Sequence, residues 1–299
     1  MLRRLLPLAL LAAALVFSGC GGRGEPVGEL SQTYPVTVQG GTDQPTTLAS
    51  APKRIVALDP GSAELVQALG AGDRLKGVPA ALDHGQAQPV VSPTGEVDVD
   101  AVVKLKPDLV VTTTGVDQLD ASLAARESKS ALYVQPSSSV DAVRRGALEL
   151  GFLVDEPVRA RQVAGRVARE VQRIEARVAG EPVVSVFVDT GFFITIPRGT
   201  LLGDLIRRAR GESVAGQAPG PDPFPVARLR RLDPDFYLAT SESRVTLADL
   251  RSDPRTKGLT AVEQGRFAVL PARLVIRPGP RVGRALARIA RVLHPDAFG

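Results

Sequence analysis

Residues with catalytic or metal-binding side chains are scarce in this chain of 299 residues. It has a single cysteine, Cys20, and two histidines, His84 and His294, far apart in the sequence. A zinc site of cysteine and histidine ligands is therefore nearly excluded, whereas a hard-metal site of carboxylates remains compatible with the composition. The sequence contains no Walker loop, no Gly-x-Ser-x-Gly elbow and no nucleophile with a recognisable base. We predict no catalytic residue, no bound metal and no cofactor, so the chain is not expected to be an enzyme.

Cys20 stands at the end of a segment typical of an export signal. Arg3 and Arg4 precede an apolar run over 5–17, and the small residues Ser18 and Gly19 come just before Cys20. The apolar run is too short for a spanning helix, which needs roughly 20 residues. The segment resembles a bacterial lipobox, in which the cysteine is lipidated. It predicts a lipoprotein signal peptide over 1–20 and a flexible tether over 21–33; an ordinary signal peptide or a short membrane anchor is the alternative.

The distribution of charge gives little reason to expect a nucleic-acid partner. The net charge is +5, from 37 Lys and Arg against 32 Asp and Glu. Removal of Arg3 and Arg4 with the leader would leave 35 basic residues, or +3. Acidic residues lie between the basic ones along the sequence, which indicates a solvated surface instead of a nucleic-acid footprint.

Short apolar runs alternate with helical patterns over 34–155. Strands are predicted at 54–58, 75–78 and 109–113. Helices are predicted between them, at 63–69 and 99–106. This alternation favours an α/β lobe with a mainly parallel sheet.

A long amphipathic helix is predicted over 156–180. Its apolar stripe has spacings of four, four, three and four residues and consists of Val163, Val167, Val171, Ile174 and Val178. Such a helix spans about 30 Å or more. A second α/β region follows over 181–299, so the sequence predicts two α/β lobes joined by one long helix.

The candidate binding residues follow the predicted strands, because open α/β sheets bind ligands at the carboxyl ends of their strands. For Arg277, a fork to a ligand carboxylate or phosphate competes with a surface ion pair. For the three phenylalanines, an apolar wall competes with a place in the core. His84 is more simply an exposed loop residue than a metal or haem ligand. The predicted ligand-binding set is Asp59, Ser62, Asp83, His84, Thr114, Phe192, Phe193, Phe224, Arg273 and Arg277.

Several motifs, taken in order, resemble one family. They are Pro52 to Leu58, Ser62 to Leu65 with Ala68 to Asp73, Leu105 to Val110, and Arg277 to Arg281 with Leu293 to Pro295. Together they are similar to the substrate-binding proteins of ABC importers for iron-siderophores, haem and cobalamin, over about 34–299. The resemblance implies two Rossmann-like lobes, a rigid bridging helix and a ligand in the cleft between the lobes.

The resemblance also implies one exposed carboxylate on each lobe for docking to an ABC permease. Asp100 occupies that position in the first lobe, although an acid near the start of a helix can also simply serve the helix dipole. The equivalent position in the second lobe is Ala227, among arginines. This departure puts a standard two-point dock in doubt.

The expected function is a monomeric, membrane-anchored, extracytoplasmic lipoprotein that delivers a chelate, foremost an iron-siderophore, to an ABC importer. Cobalamin is disfavoured, because the chain has no Trp and because Ala81 and Thr94 stand where cobalamin-binding relatives carry aromatic side chains. The alternative is an envelope or sensory lipoprotein that kept the fold without transport. A carboxylate-lined metal binder or an enzyme is the remaining possibility.

Overall fold

The computed structural model describes residues 32–82, 85–114, 117–216 and 222–299. Cys20, the signal peptide, Asp83 and His84 lie outside these residues. Within them, two parallel sheets each form the centre of a lobe, and one long helix lies between the lobes in the chain. No helix in these ranges is both long and apolar enough to cross a membrane.

The N-terminal lobe is built on a five-stranded parallel sheet with a small antiparallel hairpin beside it. Its strands are β1 Val36–Val38, β2 Thr46–Leu48, β3 Ile55–Ala57, β4 Leu75–Pro79, β5 Gln88–Val91, β6 Leu109–Thr113 and β7 Ala131–Gln135. Strands β1 and β2 form the hairpin, and the sheet has the order β5-β4-β3-β6-β7. This is a Rossmann-like order, in which the direction of winding reverses between β3 and β6.

Helices cover both faces of this sheet: α1 Pro60–Ala68, α2 Val99–Leu105, α3 Gln118–Ser128 and α4 Val140–Leu153. Ile55 and Ala57 of β3 pack with α1 and α4, whereas Val56 between them packs with α2 and α3. Successive strand residues point to opposite faces, so α2 and α3 lie on the other side of the sheet from α1 and α4.

The bridging helix is α5, Pro157–Val178. Pro157 occupies its first position, where no backbone N–H is required, and the stripe from Val163 to Val178 is buried. Val163 packs into the core of the N-terminal lobe, and Val167 to Val178 pack into the core of the C-terminal lobe. One continuous helix therefore contributes to both cores, at the place where the sequence predicts it.

The C-terminal lobe has a four-stranded parallel sheet of order β11-β10-β8-β9, which reverses its winding between β8 and β10. Its strands are β8 Val184–Asp189, β9 Gly211–Ser213, β10 Phe236–Thr240 and β11 Phe267–Leu270. Its helices are α6 Leu201–Arg208, α7 Val226–Leu232, α8 Leu247–Ser252, α9 Thr260–Glu263, α10 Ala272–Val275 and α11 Val282–Leu293.

The lobes meet beside the bridging helix through a nearly buried carboxylate, which we call the interlobe junction. Asp204 of α6 accepts a hydrogen bond from the backbone N of Val140 in α4 at 3.0 Å and from Arg208 Nε at 2.8 Å. Arg208 also donates to Glu175 of α5 at 2.6 Å and to Asp141 of α4 at 2.6 Å. The junction thus connects both lobes to the bridge.

Candidate functional site

In the N-terminal lobe, Asp59 and Ser62 form the turn at the carboxyl end of β3. Asp59 caps α1: its carboxylate accepts hydrogen bonds from the Ser62 backbone N at 2.9 Å and from Ser62 Oγ at 2.6 Å. Burial raises the pKa of Asp59, while the Ser62 hydrogen bonds and the Arg277 charge act in the opposite direction. Both residues are buried. They cap the N-terminus of α1 at the end of β3, where the winding of the sheet reverses between β3 and β6.

This turn contacts the C-terminal lobe along what we call the interlobe seam: Gly61, Glu64, Gln135 and the segment 277–281. A Cβ on Gly61 would lie only 3.1 Å from Pro278 Cδ. Gln135, the last residue of β7, donates from Nε2 to the Pro278 carbonyl at 2.8 Å. The carboxyl edge of the N-terminal sheet therefore faces the segment between α10 and α11.

Glu64 of α1 pairs with two arginines across the seam. Its carboxylate accepts from Arg277 Nη1 at 3.1 Å and from Arg281 at 2.6 and 2.9 Å. Arg273 lies nearby, because its carbonyl accepts from Arg281 Nη2 at 3.4 Å, and its side chain is exposed. Two guanidiniums thus share the Glu64 carboxylate, with Arg273 beside them and Asp59 within reach of the Arg277 charge, so basic side chains outnumber acidic ones at the seam.

The matching edge of the C-terminal sheet carries a second buried acid. Asp189 ends β8 and accepts hydrogen bonds from Tyr237 Oη at 2.6 Å and from the Gly191 backbone N at 2.7 Å. Burial raises the pKa of Asp189, and those hydrogen bonds oppose the shift. Asp189 lies at the wall of a cavity of about 580 Å³ that the loops after β8 and β10 enclose.

Two consecutive phenylalanines line the same cavity with unusual backbone conformations. Phe192 and Phe193 have φ values of 52° and 63°, in the left-handed region that bulky residues rarely adopt. Phe192 is 87% exposed, and the Arg255 guanidinium lies 5.7 Å from the Phe193 ring centroid. Conformations of this kind cluster at functional sites, so an exposed aromatic held there is a candidate ligand contact.

Phe224 lies in a different environment from the other two phenylalanines. It is buried, and its ring centroid is 5.5 Å from that of Phe187 in the lobe core. Its backbone N donates to the Phe193 carbonyl at 2.9 Å. Phe224 therefore supports the Phe192–Phe193 loop from within the core, which is the alternative considered for it in the sequence.

Unpartnered polar atoms also lie at the strand ends. Gln135 Oε1 and Thr240 Oγ1 are buried without a hydrogen-bond partner among the described residues, and they end β7 and β10. Thr114, just after β6, exchanges a hydrogen bond of 2.7 Å with Ser137 Oγ. Buried polar groups without partners are uncommon, and these two mark the carboxyl ends of β7 and β10.

The predicted ligand-binding residues that the structure describes lie at the carboxyl edges of the two sheets. Asp59, Ser62 and Arg277 come together at the seam with Arg273 close by, Phe192 and Phe193 line the C-terminal cavity, and Thr114 follows β6. Sequence reasoning missed Glu64, Gln135, Asp189 and Arg281. Glu64 and Arg281 stand inside motifs already singled out, so a charged residue in each was the available signal.

The proposed docking positions differ in charge. Asp100 is exposed in the first turn of α2. Its neighbour Asp98 is the residue that caps the helix, accepting from the Ala101 backbone N at 2.9 Å. Ala227 is exposed on α7 between Val226 and Arg228, so this surface carries arginines instead of an acid.

Comparison with known proteins identifies the family. The model of the periplasmic binding protein family matches residues 55–274. The chain belongs to this family. Its fold is that of the class III periplasmic binding proteins, as the sequence predicts, and the family consists of substrate-binding proteins.

The relatives are distant but cover most of the chain. The uncharacterized ABC transporter substrate-binding lipoprotein YvrC of Bacillus subtilis is 24% identical over 306 residues, covering 97% of this chain and 96% of that protein. A cobalamin-binding protein of Halobacterium salinarum is 24% identical over 283 residues, covering 88% and 75%. The periplasmic heme-binding protein RhuT of Roseiflexus, in apo form, superposes with a TM-score of 0.72 at 20% identity, covering 83% and 100%.

Proposed function

We propose that this periplasmic binding protein is a monomeric extracytoplasmic lipoprotein, anchored through Cys20, that delivers an anionic metal chelate to an ABC importer. The ligand class that we favour is an iron-siderophore. The excess of basic side chains at the interlobe seam carries this proposal, since Arg277 and Arg281 share the Glu64 carboxylate and Arg273 lies beside them.

The chemistry of the seam favours oxygen-rich anions. A guanidinium forks to two oxygens of one carboxylate, and charge-assisted hydrogen bonds of this kind are about twice as strong as neutral ones. The carboxylate, hydroxamate or catecholate oxygens of a siderophore meet this requirement, as do the propionates of haem. A ligand without anionic groups offers the arginines no acceptor to replace Glu64, and leaving them without a partner is costly in a partly buried site.

The aromatic content of the cleft distinguishes these ligands further. A corrin ring offers a broad face that suits flat aromatic partners, but the chain has no Trp. Phe192 is the one large aromatic side chain among the described residues with most of its surface exposed. One exposed ring suits one face of a compact chelate better than the flanks of a corrin, although relatives of this chain are named for cobalamin.

Calorimetric titration tests the proposal directly. The protein is titrated with ferric hydroxamate and ferric catecholate siderophores, haemin and cyanocobalamin. We expect one saturable site for a ferric siderophore, and an affinity about tenfold lower or weaker in R277Q because one charge-assisted hydrogen bond is lost. R230Q, on the exposed face of α7, is the matched control and should bind as the wild type does. Tighter binding of cyanocobalamin, or equal binding by R277Q, would contradict the proposed ligand class.

A non-transport role is the second candidate, and the exposed Ala227 favours it. Without an acid on α7, a permease has only Asp100 as a predicted contact. Copurification of a permease with the tagged lipoprotein from host membranes decides between the roles. Transport predicts that a permease is recovered with the wild type and lost in D100R. Recovery of no permease supports the envelope role, whereas equal recovery with D100R would show that a permease binds without Asp100.

A further inference from the structure

One side of the bridging helix carries a row of unpaired arginines. Arg166, Arg169, Arg173 and Arg177 recur at spacings of three, four and four, so they share one face of α5. All four are exposed. None of them forms an ion pair with another described residue, whereas Arg208 forms three.

The last helix carries a second row of the same kind. Arg284, Arg288 and Arg291 recur at spacings of four and three on α11 and are exposed. They also form no ion pair with a described residue. The opposite side of α11 is buried in the lobe core, so the arginines form its entire outward face.

The two rows lie side by side. A Cβ on Gly283 of α11 would come within 2.7 Å of Glu170 Cβ on α5, which shows how closely the helices approach. Between them runs a groove of about 470 Å³ lined by Arg173, Arg177, Arg284 and Arg291, with Glu170 as its one acidic side chain. We call the seven arginines of both rows the basic face.

An aromatic ring lies at one end of the basic face, beside the last arginine of each row. The guanidiniums of Arg177 and Arg291 stand 5.3 and 5.2 Å from the centroid of the Phe298 ring. Asp296 is exposed close by in the chain, and it adds a second acid near the groove. The balance nevertheless remains strongly positive, with seven arginines against Glu170 and Asp296.

The start of the described chain lies next to the bridging helix. The backbone N of Gln32 donates to Asp155 Oδ1 at 2.6 Å, and Tyr34 Oη donates to the Leu153 carbonyl at 2.9 Å. Both acceptors immediately precede α5. Eleven residues lie between Cys20 and Gln32, and the twelve Cα–Cα steps from one to the other span at most about 40 Å.

We propose that the basic face binds the anionic phospholipid headgroups of the membrane to which the protein is anchored. The inference rests on the proposed lipidation of Cys20, which would hold the start of α5 within reach of the bilayer. Guanidiniums bind phosphate oxygens in a bidentate manner, and clusters of Lys and Arg beside a membrane anchor bind anionic lipids. The Phe298 ring adds an apolar group at the headgroup level.

This binding defines a second orientation of the molecule. Asp100 lies on α2, on the opposite face of the N-terminal sheet from α4, against which α5 packs. The basic face and the proposed permease contact therefore point to different sides. A molecule lying on the bilayer through α5 and α11 must turn over before Asp100 reaches a permease.

Fluorescence energy transfer from the lipidated protein to labelled lipids tests this orientation. Because Cys20 is the only cysteine, one introduced cysteine carries the donor: Q162C on the α5 arginine side, or L119C on α3, where Leu119 is 77% exposed.

In vesicles containing phosphatidylglycerol, transfer should be higher from Q162C than from L119C. The difference should disappear in pure phosphatidylcholine, in high salt, and in R173Q/R177Q/R284Q. R228Q/R230Q/R231Q on α7 removes the same charge and should keep it. The proposal would be overturned if the difference in transfer between Q162C and L119C were the same in both vesicle types. It would also be overturned if only the α7 variant lost that difference.

Vesicle flotation separates this proposal from that of the lipid anchor. Lipidation predicts that the wild type floats with phosphatidylcholine vesicles, in which the basic face has no anionic partner. If it floats only with phosphatidylglycerol vesicles and sinks in high salt, the anchor is wrong and the basic face is supported. If it floats with neither, both proposals fail.

Discussion

The two lobes touch at the interlobe seam and at the interlobe junction, and these contacts are built differently. At the seam, Glu64 pairs with arginine side chains only, and 40% of the Arg281 side chain is exposed. At the junction, Asp204 accepts from a backbone amide as well as from arginines, and the Asp204 and Arg208 side chains are 10% and 14% exposed. The Glu64 and Arg277 side chains are 17% and 15% exposed, so the seam differs from the junction mainly at Arg281, which water screens, and in lacking a backbone donor to its carboxylate.

This difference indicates which contact has to open for a ligand. Partly exposed ion pairs contribute little to stability, whereas breaking a buried pair leaves an unpaired charge at high cost. The junction also includes Glu175 of the bridging helix, so it fixes the angle at which the lobes leave α5. The expected motion is thus a small opening at the seam around a junction that stays closed.

The largest expected effect is at the junction. D204A leaves Arg208 partly unpaired and the Val140 amide without its acceptor, and it should lower the free energy of unfolding by about 3 kcal/mol. Urea denaturation measures this. D141N removes only the exposed partner of Arg208 and serves as the control, with a loss of less than about 1 kcal/mol. Equal losses in the two variants would show that the junction is no stronger than a surface pair.

The contribution of Asp204 should also depend on pH. Burial favours the neutral acid, but hydrogen bonds from Arg208, Val140 and Arg207 outweigh it and lower the pKa of Asp204. A carboxyl with a lower pKa in the folded state stabilises the fold above its unfolded pKa of about 3.9 and loses that effect as the pH falls through the folded value. The stability difference between wild type and D204A should therefore be constant near neutral pH and shrink below about pH 4. If the stability difference grew on acidification, the pKa of Asp204 would be raised in the folded state instead of lowered.

A smaller effect is expected at the seam. E64Q should lower the free energy of unfolding by less than D204A does, because Arg281 is 40% exposed and its pair with Glu64 is partly screened by water. It should widen the distribution of distances between spin labels on the two lobes in the ligand-free protein. D141N should leave that distribution unchanged. If E64Q left the distribution unchanged as well, the seam would not be what holds the lobes together.

The bridging helix was predictable from sequence because its signal is local. The spacing from Val163 to Val178 alone defines the buried stripe, and the observed helix Pro157–Val178 differs by only a residue or two from the prediction. The capping turn of Asp59 and Ser62 is local as well. Periodicity and caps depend on neighbouring residues, which the sequence displays directly.

The seam was not predictable, because its partners are distant in the chain. Glu64 is 213 residues from Arg277, and Gln135 is 143 residues from Pro278. No periodicity relates such pairs; only the docking of one lobe on the other brings them together. The same holds for Asp189, whose acceptance of the Tyr237 hydroxyl depends on the pairing of β8 with β10. The sequence thus predicts that residues at strand ends line the site. It does not predict which charged or polar side chains, distant in the chain, pair with them there.

Native mass spectrometry of the protein released from its host membrane tests most directly that the cleft binds an anionic chelate through the seam arginines. The account predicts a single iron-containing anionic ligand per chain, present on the wild type and on R230Q and depleted from R277Q. A corrinoid bound in its place, or full retention of the ligand by R277Q, would contradict it.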